Sequence, residues 1–376
     1  MMYKRDSKVP KHSQNQFVLE SFVPPNTSDA DIAYEKLYER TEKKYTYYSR
    51  GRHAIYHALK SLNVMGRVIL PLYSCHTISD AVERAGLECV YCDISEKDLN
   101  IDFQSFIEVQ KKTGAKCVIV PSLYGNPAQL DGIEAYCKEN GIFLIDDSAQ
   151  SFGATLEGRF LSTFGNAGLF AFSPGKATPG AMGALAWTEA DYEVKRTHHD
   201  WVHRIININY NVNRKNVYTD KKPKFIKSTI QLMAALTEQL TDISNDNIAE
   251  FEKRSLGGVI QAYFDGEFDY RNKYFGEFVN CFGDKGWFKI ISCQQGTPMN
   301  HKIVVLFPTR EVTEQFRKHL YDNKIKTYGG YIPRKQDENC LVTQSIVGRV
   351  CEMPIENNAE KMKYLFGCVS SFFQNK

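Results

Sequence analysis

Residues 116–146 read KCVIVPSLYGNPAQLDGIEAYCKENGIFLID. The stretch contains an apolar run at Lys116–Pro121, a helical spacing of apolar residues over Leu130–Asn140 and a second apolar run at Ile142–Asp146. Short apolar runs without polar alternation are typical of strands buried on both faces. A helix between two such runs is typical of a parallel β-α-β unit. The stretch therefore predicts a parallel sheet that is covered by helices.

The same alternation continues on both sides of this stretch. It predicts further strands at Val68–Pro71, Glu88–Ile94, Gly168–Phe172 and Ala184–Trp187, and further helices at Arg50–Asn63, Asp80–Ala85 and Phe103–Lys111. We therefore expect an α/β fold with a mostly parallel central sheet flanked by helices.

The C-terminal part predicts a second, smaller α+β unit. Its predicted elements are a long helix through Gln261 and Tyr270, strands at Lys302–Phe307 and Lys326–Tyr331, and helices at Glu311–Asn323 and Asn358–Phe373. We expect an N-terminal arm (1–26), a large domain (27–250) with an insertion at about 198–247, and a small domain (251–376). The amphipathic segment Phe225–Ile243 of the insertion is expected to pack against protein rather than on a membrane.

Charge and composition narrow the class of partner. The 376 residues include 47 basic and 44 acidic side chains, which leaves a net charge of +3. That balance lacks the one-signed charge of non-specific nucleic-acid binders. No run of about 18 uninterrupted apolar residues occurs, and the N-terminal residues lack the apolar core of a signal peptide. We therefore expect a cytoplasmic protein that acts on small molecules, with no nucleic-acid or membrane partner.

Cysteines and histidines give no clear metal or redox motif. The ten cysteines lie mostly inside apolar runs, as reduced, buried thiols do. Cys89 and Cys92 form a C-x-x-C, but a strand turns residues three apart to opposite faces. Two histidine pairs with helical spacing lack a recognisable third ligand, so we expect no metal site: His53 with His57, and His199 with His203.

Ligands of an open parallel sheet bind at the carboxyl ends of its strands. Asp146 and Asp147 end one predicted strand, and Lys176 lies in the loop after a neighbouring one. A pyridoxal phosphate enzyme needs such a pair: a lysine that bonds to the cofactor, and a carboxylate that keeps the pyridine nitrogen protonated. Gly51 and Arg52 at a helix start would supply a phosphate cup through backbone N–H groups, the helix dipole and a guanidinium. Each residue alone also fits an ordinary role as a helix cap, a solvated lysine or a surface arginine.

Five motifs occur in a fixed order along the chain: SRGRHAI (49–55), ILPLYSC (69–75), VPSLYGNP (120–127), LIDDSAQSFGA (144–154) and GLFAFSPGK (168–176). Together they resemble the DegT/DnrJ/EryC1/StrS aminotransferases, which are fold-type-I pyridoxal phosphate enzymes that aminate keto groups of nucleotide-linked sugars. The resemblance spans residues 45–190 and, more loosely, residue 250 to the end. It implies that Lys176 bonds to the cofactor, that Asp147 pairs with the pyridine nitrogen and that Gln150 lies near the ring. It places Gly51 and Arg52 at the phosphate loop.

The chain departs from the family pattern around the cofactor. Where the family has a phosphate-binding serine, this chain has Ala171, so we expect Ser173 or Arg52 to take over. The aromatic residue that stacks on the pyridine falls at Cys75, so we expect His76 or Tyr73 to replace it.

Two further departures concern the partner subunit and the substrate. The asparagine that a partner subunit sends to the phosphate has no clear match near Arg254. The family's sugar-contacting "Y-x-P-x-H" stretch reads YIPRK at 331–335.

The resemblance implies an aminotransferase that moves an amino group from glutamate or glutamine to a keto sugar, and a homodimer. The lysine at 176 argues against the sugar dehydratases of the family, which carry histidine there. Two alternatives stay open. One is a catalytically degenerate relative that acts as a binding or regulatory subunit. The other is a desulfurase of the same fold type, in which Cys340 would be the nucleophile.

Overall fold

The computed structural model describes residues 27–173, 176–178, 183–190, 194, 196–197, 243, 246–247 and 250–374. The predicted arm (1–26) and most of the predicted insertion (198–247) lie outside the described residues. Of the amphipathic segment Phe225–Ile243, only Ile243 is described, and its side chain is buried.

The first nine strands are β1 (Thr46–Tyr48), β2 (Arg67–Pro71), β3 (Glu88–Cys92), β4 (Cys117–Pro121), β5 (Phe143–Asp147), the hairpin β6 (Thr155–Leu156) and β7 (Arg159–Phe160), β8 (Ala167–Ala171) and β9 (Ala184–Thr188). Seven of them form one sheet in the order β1-β9-β8-β5-β4-β2-β3. Neighbours from β8 to β3 pair in parallel, and only β9 runs against its neighbours β8 and β1. The mostly parallel sheet predicted from the sequence is confirmed. A separate short parallel pair is formed by β10 (Arg196–Thr197) and β11 (Asp246–Asn247).

Six helices of the described residues accompany this sheet. They are α1 (Thr27–Thr41), α2 (Gly51–Ser61), α3 (His76–Arg84), α4 (Phe103–Thr113), α5 (Leu130–Asn140) and α6 (Glu250–Phe264). Four of them, α2 to α5, were predicted from the sequence. The sequence did not predict α1, because the polar residues before it obscure its apolar spacing and because the helix on which it packs, α6, lies far along the chain. The backbone of Gly257 on α6 lies so close to α1 that a Cβ there would be 2.6 Å from the Cα of Ala30. Glycine therefore allows these two helices to pack tightly.

Both faces of the sheet are buried, which explains the absence of polar alternation. On β4, Val118 lies in one core cluster and Cys117 in the other, and neither is exposed. On β3, Cys92 lies in the first cluster, whereas Cys89 packs against the second. The C-x-x-C spacing therefore directs the two thiols to opposite faces, as the strand reading predicts.

The C-terminal unit contains α7 (Tyr270–Phe282), β12 (Lys289–Ile291), β13 (Lys302–Leu306), α8 (Arg310–Asp322), α9 (Leu341–Ile346), β14 (Val350–Pro354) and α10 (Ala359–Gln374). Its three strands form an antiparallel sheet in the order β12-β13-β14. The helices cover an aromatic core that includes Phe278, Phe307 and Phe316. This is the small α+β unit predicted from the sequence.

Two predicted elements of this part were wrong. The long helix through Gln261 and Tyr270 is two helices, because the chain turns at Gly266, whose φ of +79° a helix cannot contain. No strand forms over Lys326–Tyr331, where only Tyr328 bridges to Glu352 on β14. The chain leaves the sheet there because Tyr331 reaches across to the large unit, where it contacts Gln150.

A buried carboxylate also joins the two units. Asp93, just after β3, accepts hydrogen bonds from the backbone N–H of Val342 (2.7 Å) and from the N–H (2.9 Å) and hydroxyl (2.8 Å) of Thr343. These donors belong to the first turn of α9, so Asp93 satisfies a helix N-terminus in the other unit.

Candidate active site

A cavity of about 250 Å³ lies at the carboxyl ends of the parallel strands. Of the residues predicted for the site, six line it: Gly51, Arg52, Asp147, Gln150, Ser173 and Lys176. They come from α2, from the end of β5 and from the segment after β8. The topology therefore brings together residues up to 125 positions apart in the sequence.

Asp147 ends β5 with its carboxylate facing the cavity. Among the described residues, only the backbone N–H of Ala149 donates to it, at 3.1 Å. Burial raises the pKa of Asp147, and the positive charge of Lys176 opposes this shift. The carboxylate thus has capacity for a second donor, and a cationic one would stabilise it most.

The neighbouring Asp146 is turned the other way by the strand. It accepts from the Ser148 hydroxyl at 2.7 Å and from the backbone N–H of Phe164 at 3.4 Å. It is fully buried and does not line the cavity, and burial raises its pKa to about 7. Asp146 is therefore committed to internal hydrogen bonds.

Lys176 lies opposite Asp147 in the cavity and is partly buried. Desolvation lowers the pKa of its amine, and the Asp147 carboxylate opposes that shift. A lysine in this position is neutral, and hence nucleophilic, at lower pH than a solvated one. The flanking Pro174, Gly175, Pro179 and Gly180 lie outside the described residues.

The wall facing the sheet is the first turn of α2. Ser49, Arg50, Gly51 and Arg52 line the cavity here, and no acidic residue occupies the first turn. The positive end of the helix dipole and two guanidinium-bearing residues therefore adjoin the cavity, an arrangement that suits an anionic group.

The predicted replacement for the stacking aromatic residue does not join the cavity. His76 is exposed and lines a neighbouring cavity of about 400 Å³, which also contacts Arg52 and Arg334. Tyr73 is fully buried and packs against other tyrosines. The side chain that lines the first cavity at this point is Cys75, whose thiol is 3.1 Å from the hydroxyl of Thr77. A cofactor role for His76 stays a prediction.

Sequence reasoning missed the residues that hold Gln150. Its amide contacts Tyr124 and Tyr331, and Tyr124 in turn contacts Glu352. Tyr124 and Tyr331 lie in two of the stretches that resemble the family, so their positions could have been proposed. Nothing in the sequence around Glu352 marks it.

The environment of Cys340 argues against the desulfurase alternative. It precedes α9, is 0% exposed and lines neither cavity. Burial raises the pKa of its thiol to about 12. A nucleophilic thiolate needs the opposite environment.

The part of the chain that the structure describes shows neither a metal-binding group nor a membrane-spanning helix. It contains no group of three or more His, Cys, Asp or Glu side chains arranged to hold a metal ion. It also contains no helix with both the length and the apolar character needed to span a bilayer. His199 and His203 lie outside the described residues.

An amine opposite a buried carboxylate, at the carboxyl edge of a mostly parallel sheet and beside a helix N-terminus, is the arrangement that fold-type-I pyridoxal phosphate proteins use. The sequence model of the DegT/DnrJ/EryC1/StrS aminotransferase family matches residues 38–213. This match covers just under half of the chain, so these residues are similar to the members of that family.

Curated relatives carry several names. The chain is 30% identical over 159 residues to UDP-N-acetyl-3-dehydro-alpha-D-glucosamine 3-aminotransferase of Acidithiobacillus ferrooxidans. This alignment covers 40% of this chain and 43% of the relative. The chain is 23% identical over 313 residues to GDP-perosamine synthase of Escherichia coli O157:H7, covering 79% and 75%. It is 30% identical over 164 residues to a pleiotropic regulatory protein of Geobacillus stearothermophilus, covering 43% and 42%. The first and third matches thus span less than half of the relative.

Solved structures share the fold over nearly the whole chain. DesV of S. venezuelae superimposes with a TM-score of 0.73 at 16% identity, covering 95% of each chain. PseC of Helicobacter pylori superimposes with a TM-score of 0.70 at 13% identity, covering 100% of each chain. At these identities the likeness establishes the fold alone.

Proposed function

We propose that this protein is a pyridoxal phosphate-dependent aminotransferase that moves an amino group from glutamate or glutamine to the keto group of a nucleotide-linked sugar. The observation that carries the proposal is the pairing of Lys176 with Asp147 across one buried cavity. Two of the curated relatives have names that describe sugar aminotransferase or amino-sugar synthesis activity.

The residues present fit the cofactor. The Asp147 carboxylate has capacity for a donor beyond Ala149, which suits a protonated ring nitrogen. The first turn of α2 with Arg52, together with Ser173, suits a phosphate group. Ala171 at the cavity wall has no hydroxyl to contribute, so these residues would hold the phosphate without it.

When bound, the cofactor supplies an electron sink for the substrate carbon that carries the amino group. Asp147 would keep a proton on the ring nitrogen, because its buried carboxylate gains a positive partner only when that nitrogen is protonated. Lys176, whose pKa desolvation in the cavity lowers, would hold the cofactor and then move a proton to and from the reacting carbon as base and acid.

We also propose a homodimer, because symmetric two-fold assembly is the commonest oligomer and the fold type builds its sites between subunits. Sedimentation velocity of the holoenzyme should give a species of about twice 43.0 kDa. A monomer that transaminates contradicts the proposal. The cytoplasmic location stays a prediction.

The second candidate is a regulatory or binding protein without turnover. It is favoured by the regulatory relative and by Ala171 in place of a phosphate-binding serine. The colour of the purified protein, and its response to amino donors, distinguishes the two candidate functions. A transaminase purified with pyridoxal phosphate is yellow, and glutamate or glutamine bleaches that colour as the amino group is transferred. Protein that binds no cofactor, or keeps its colour with both donors, contradicts the aminotransferase proposal.

A further inference from the structure

The amide of Gln150 is held from two sides, by one residue of each unit. Its oxygen accepts a hydrogen bond from the backbone N–H of Tyr124 at 3.2 Å, and its nitrogen donates to the Tyr331 hydroxyl at 2.5 Å. A backbone N–H only donates, so the amide oxygen must face Tyr124 and the nitrogen must face Tyr331. No other described residue bonds to the amide nitrogen, which leaves its second hydrogen for a ligand in the cavity that Gln150 lines.

Tyr331 is itself held in place by buried neighbours. Its ring lies edge-on to Tyr73 at 5.4 Å, and the hydroxyls of Tyr73 and Tyr124 are 2.9 Å apart. The Tyr124 hydroxyl donates to Glu352 at 3.1 Å, and Glu352, 5% exposed, forms an ion pair with Lys302. Burial raises the pKa of Tyr331 well above its usual value, with Glu352 adding to the shift. Tyr331 is therefore a neutral phenol throughout the working range of pH.

Both the large unit and the C-terminal unit are needed for this arrangement. Tyr331, Glu352 and Lys302 belong to the C-terminal unit, yet the described residues lining the first cavity all lie between positions 49 and 183. Among the described residues, the C-terminal unit thus contacts the cavity through Gln150 rather than by lining it.

We propose that Tyr331 is a positioning residue: by accepting one hydrogen of the Gln150 amide nitrogen, it directs the other hydrogen to the cofactor ring. The inference rests on the proposed function, because it takes pyridoxal phosphate as the occupant of the cavity. A donor directed at the ring stabilises negative charge on it, so its loss changes both the affinity for the cofactor and the absorption of the bound cofactor.

The test is Tyr331→Phe, which keeps the ring packing and removes only the hydroxyl. Apoprotein is titrated with pyridoxal phosphate, and the absorption maximum of the bound cofactor is followed against pH. We expect about fivefold weaker binding, the usual effect of one neutral hydrogen bond, and a shift of the absorption maximum. Tyr328→Phe is the matched control. It lies three residues away, is 47% exposed and lines neither cavity, so it should behave as wild type.

A second substitution separates positioning from a general loss of structure. If Tyr331 acts through Gln150, then Tyr331→Phe has no further effect on affinity or absorption in a Gln150→Ala background. Wild-type affinity and absorption in Tyr331→Phe, or an undiminished effect in the Gln150→Ala background, overturns the inference. Wild-type protein that takes up no pyridoxal phosphate overturns the proposed function as well. Normal uptake with an unchanged Tyr331→Phe variant overturns the positioning role alone.

Discussion

Asp147→Asn and Asp146→Asn form a pair of neighbouring, isosteric substitutions with opposite expected consequences. Among the described residues Asp147 has a single donor, Ala149, which an amide oxygen also satisfies, so Asp147→Asn should fold normally. A neutral amide cannot hold the ring nitrogen protonated. A hydrogen bond to a charged group contributes about 1.5–3 kcal/mol, and its loss should weaken cofactor binding or turnover by about 10- to 150-fold. Asp146 lines no cavity and bonds to Ser148 and Phe164, so Asp146→Asn should keep turnover close to wild type.

The assay measures kcat, KM for the amino donor and the dissociation constant of pyridoxal phosphate for wild type and both variants, with urea unfolding as the check on folding. Strand alternation is the physical reason for the difference, since it turns the two carboxylates to opposite sides of β5. Equal losses in the two variants, or a larger loss in Asp146→Asn, would refute the assignment of Asp147 to the ring nitrogen.

Three further outcomes are expected. Burial raises the pKa of Asp146 to about 7, so the folded state favours the protonated carboxyl. The free energy of unfolding of wild type should therefore fall by up to about 4 kcal/mol as pH rises from about 4 to about 7. Asp146→Asn should lack this fall when urea unfolding is compared at pH 5 and pH 8, and the same pH dependence in both proteins would contradict the assignment. Asp93→Ala should lower the free energy of unfolding by about 2–4 kcal/mol, because the donors of Val342 and Thr343 lose their acceptor. A change below about 1 kcal/mol, roughly the value of one ordinary hydrogen bond, would contradict the role of Asp93 in joining the two units. Iodoacetamide should alkylate the exposed Cys281 of native protein and spare Cys340, as read by peptide mass spectrometry, and rapid labelling of Cys340 would reopen the desulfurase alternative.

Local patterns were sufficient for the sheet and its helices. The apolar runs around Val118 and Ile145 have no polar alternation because both faces of β4 and β5 are buried, and that feature of the sequence is a direct consequence of the fold. The helix α5 begins and ends at the predicted residues, Leu130 and Asn140. In contrast, α1 carries a weak apolar pattern and depends on packing against α6, which lies more than 200 residues later. Contacts of that kind leave little trace in a local window.

The candidate site was partly predictable for the same reason. Lys176, Asp147 and Gln150 stand at strand ends, and the sheet topology brings strand ends together. The contacts of Gln150 with Tyr331 and of Tyr124 with Glu352 depend on the packing of the C-terminal unit against the large one, so neither periodicity nor motif spacing indicates them. The strand predicted over Lys326–Tyr331 failed for this reason, because its last residue is used to contact the other unit.

Covalent trapping is a direct test of whether Lys176 bonds to the cofactor. Borohydride added to protein loaded with pyridoxal phosphate reduces the bond between the lysine amine and the cofactor aldehyde to a stable adduct, which peptide mapping can locate. We expect one adduct, on Lys176, whose pKa is lowered by desolvation in the cavity. Lys176→Ala should then bind pyridoxal phosphate reversibly, give no adduct and lose turnover. An adduct on another lysine such as Lys302, or a Lys176→Ala protein that transaminates at the wild-type rate, would contradict it.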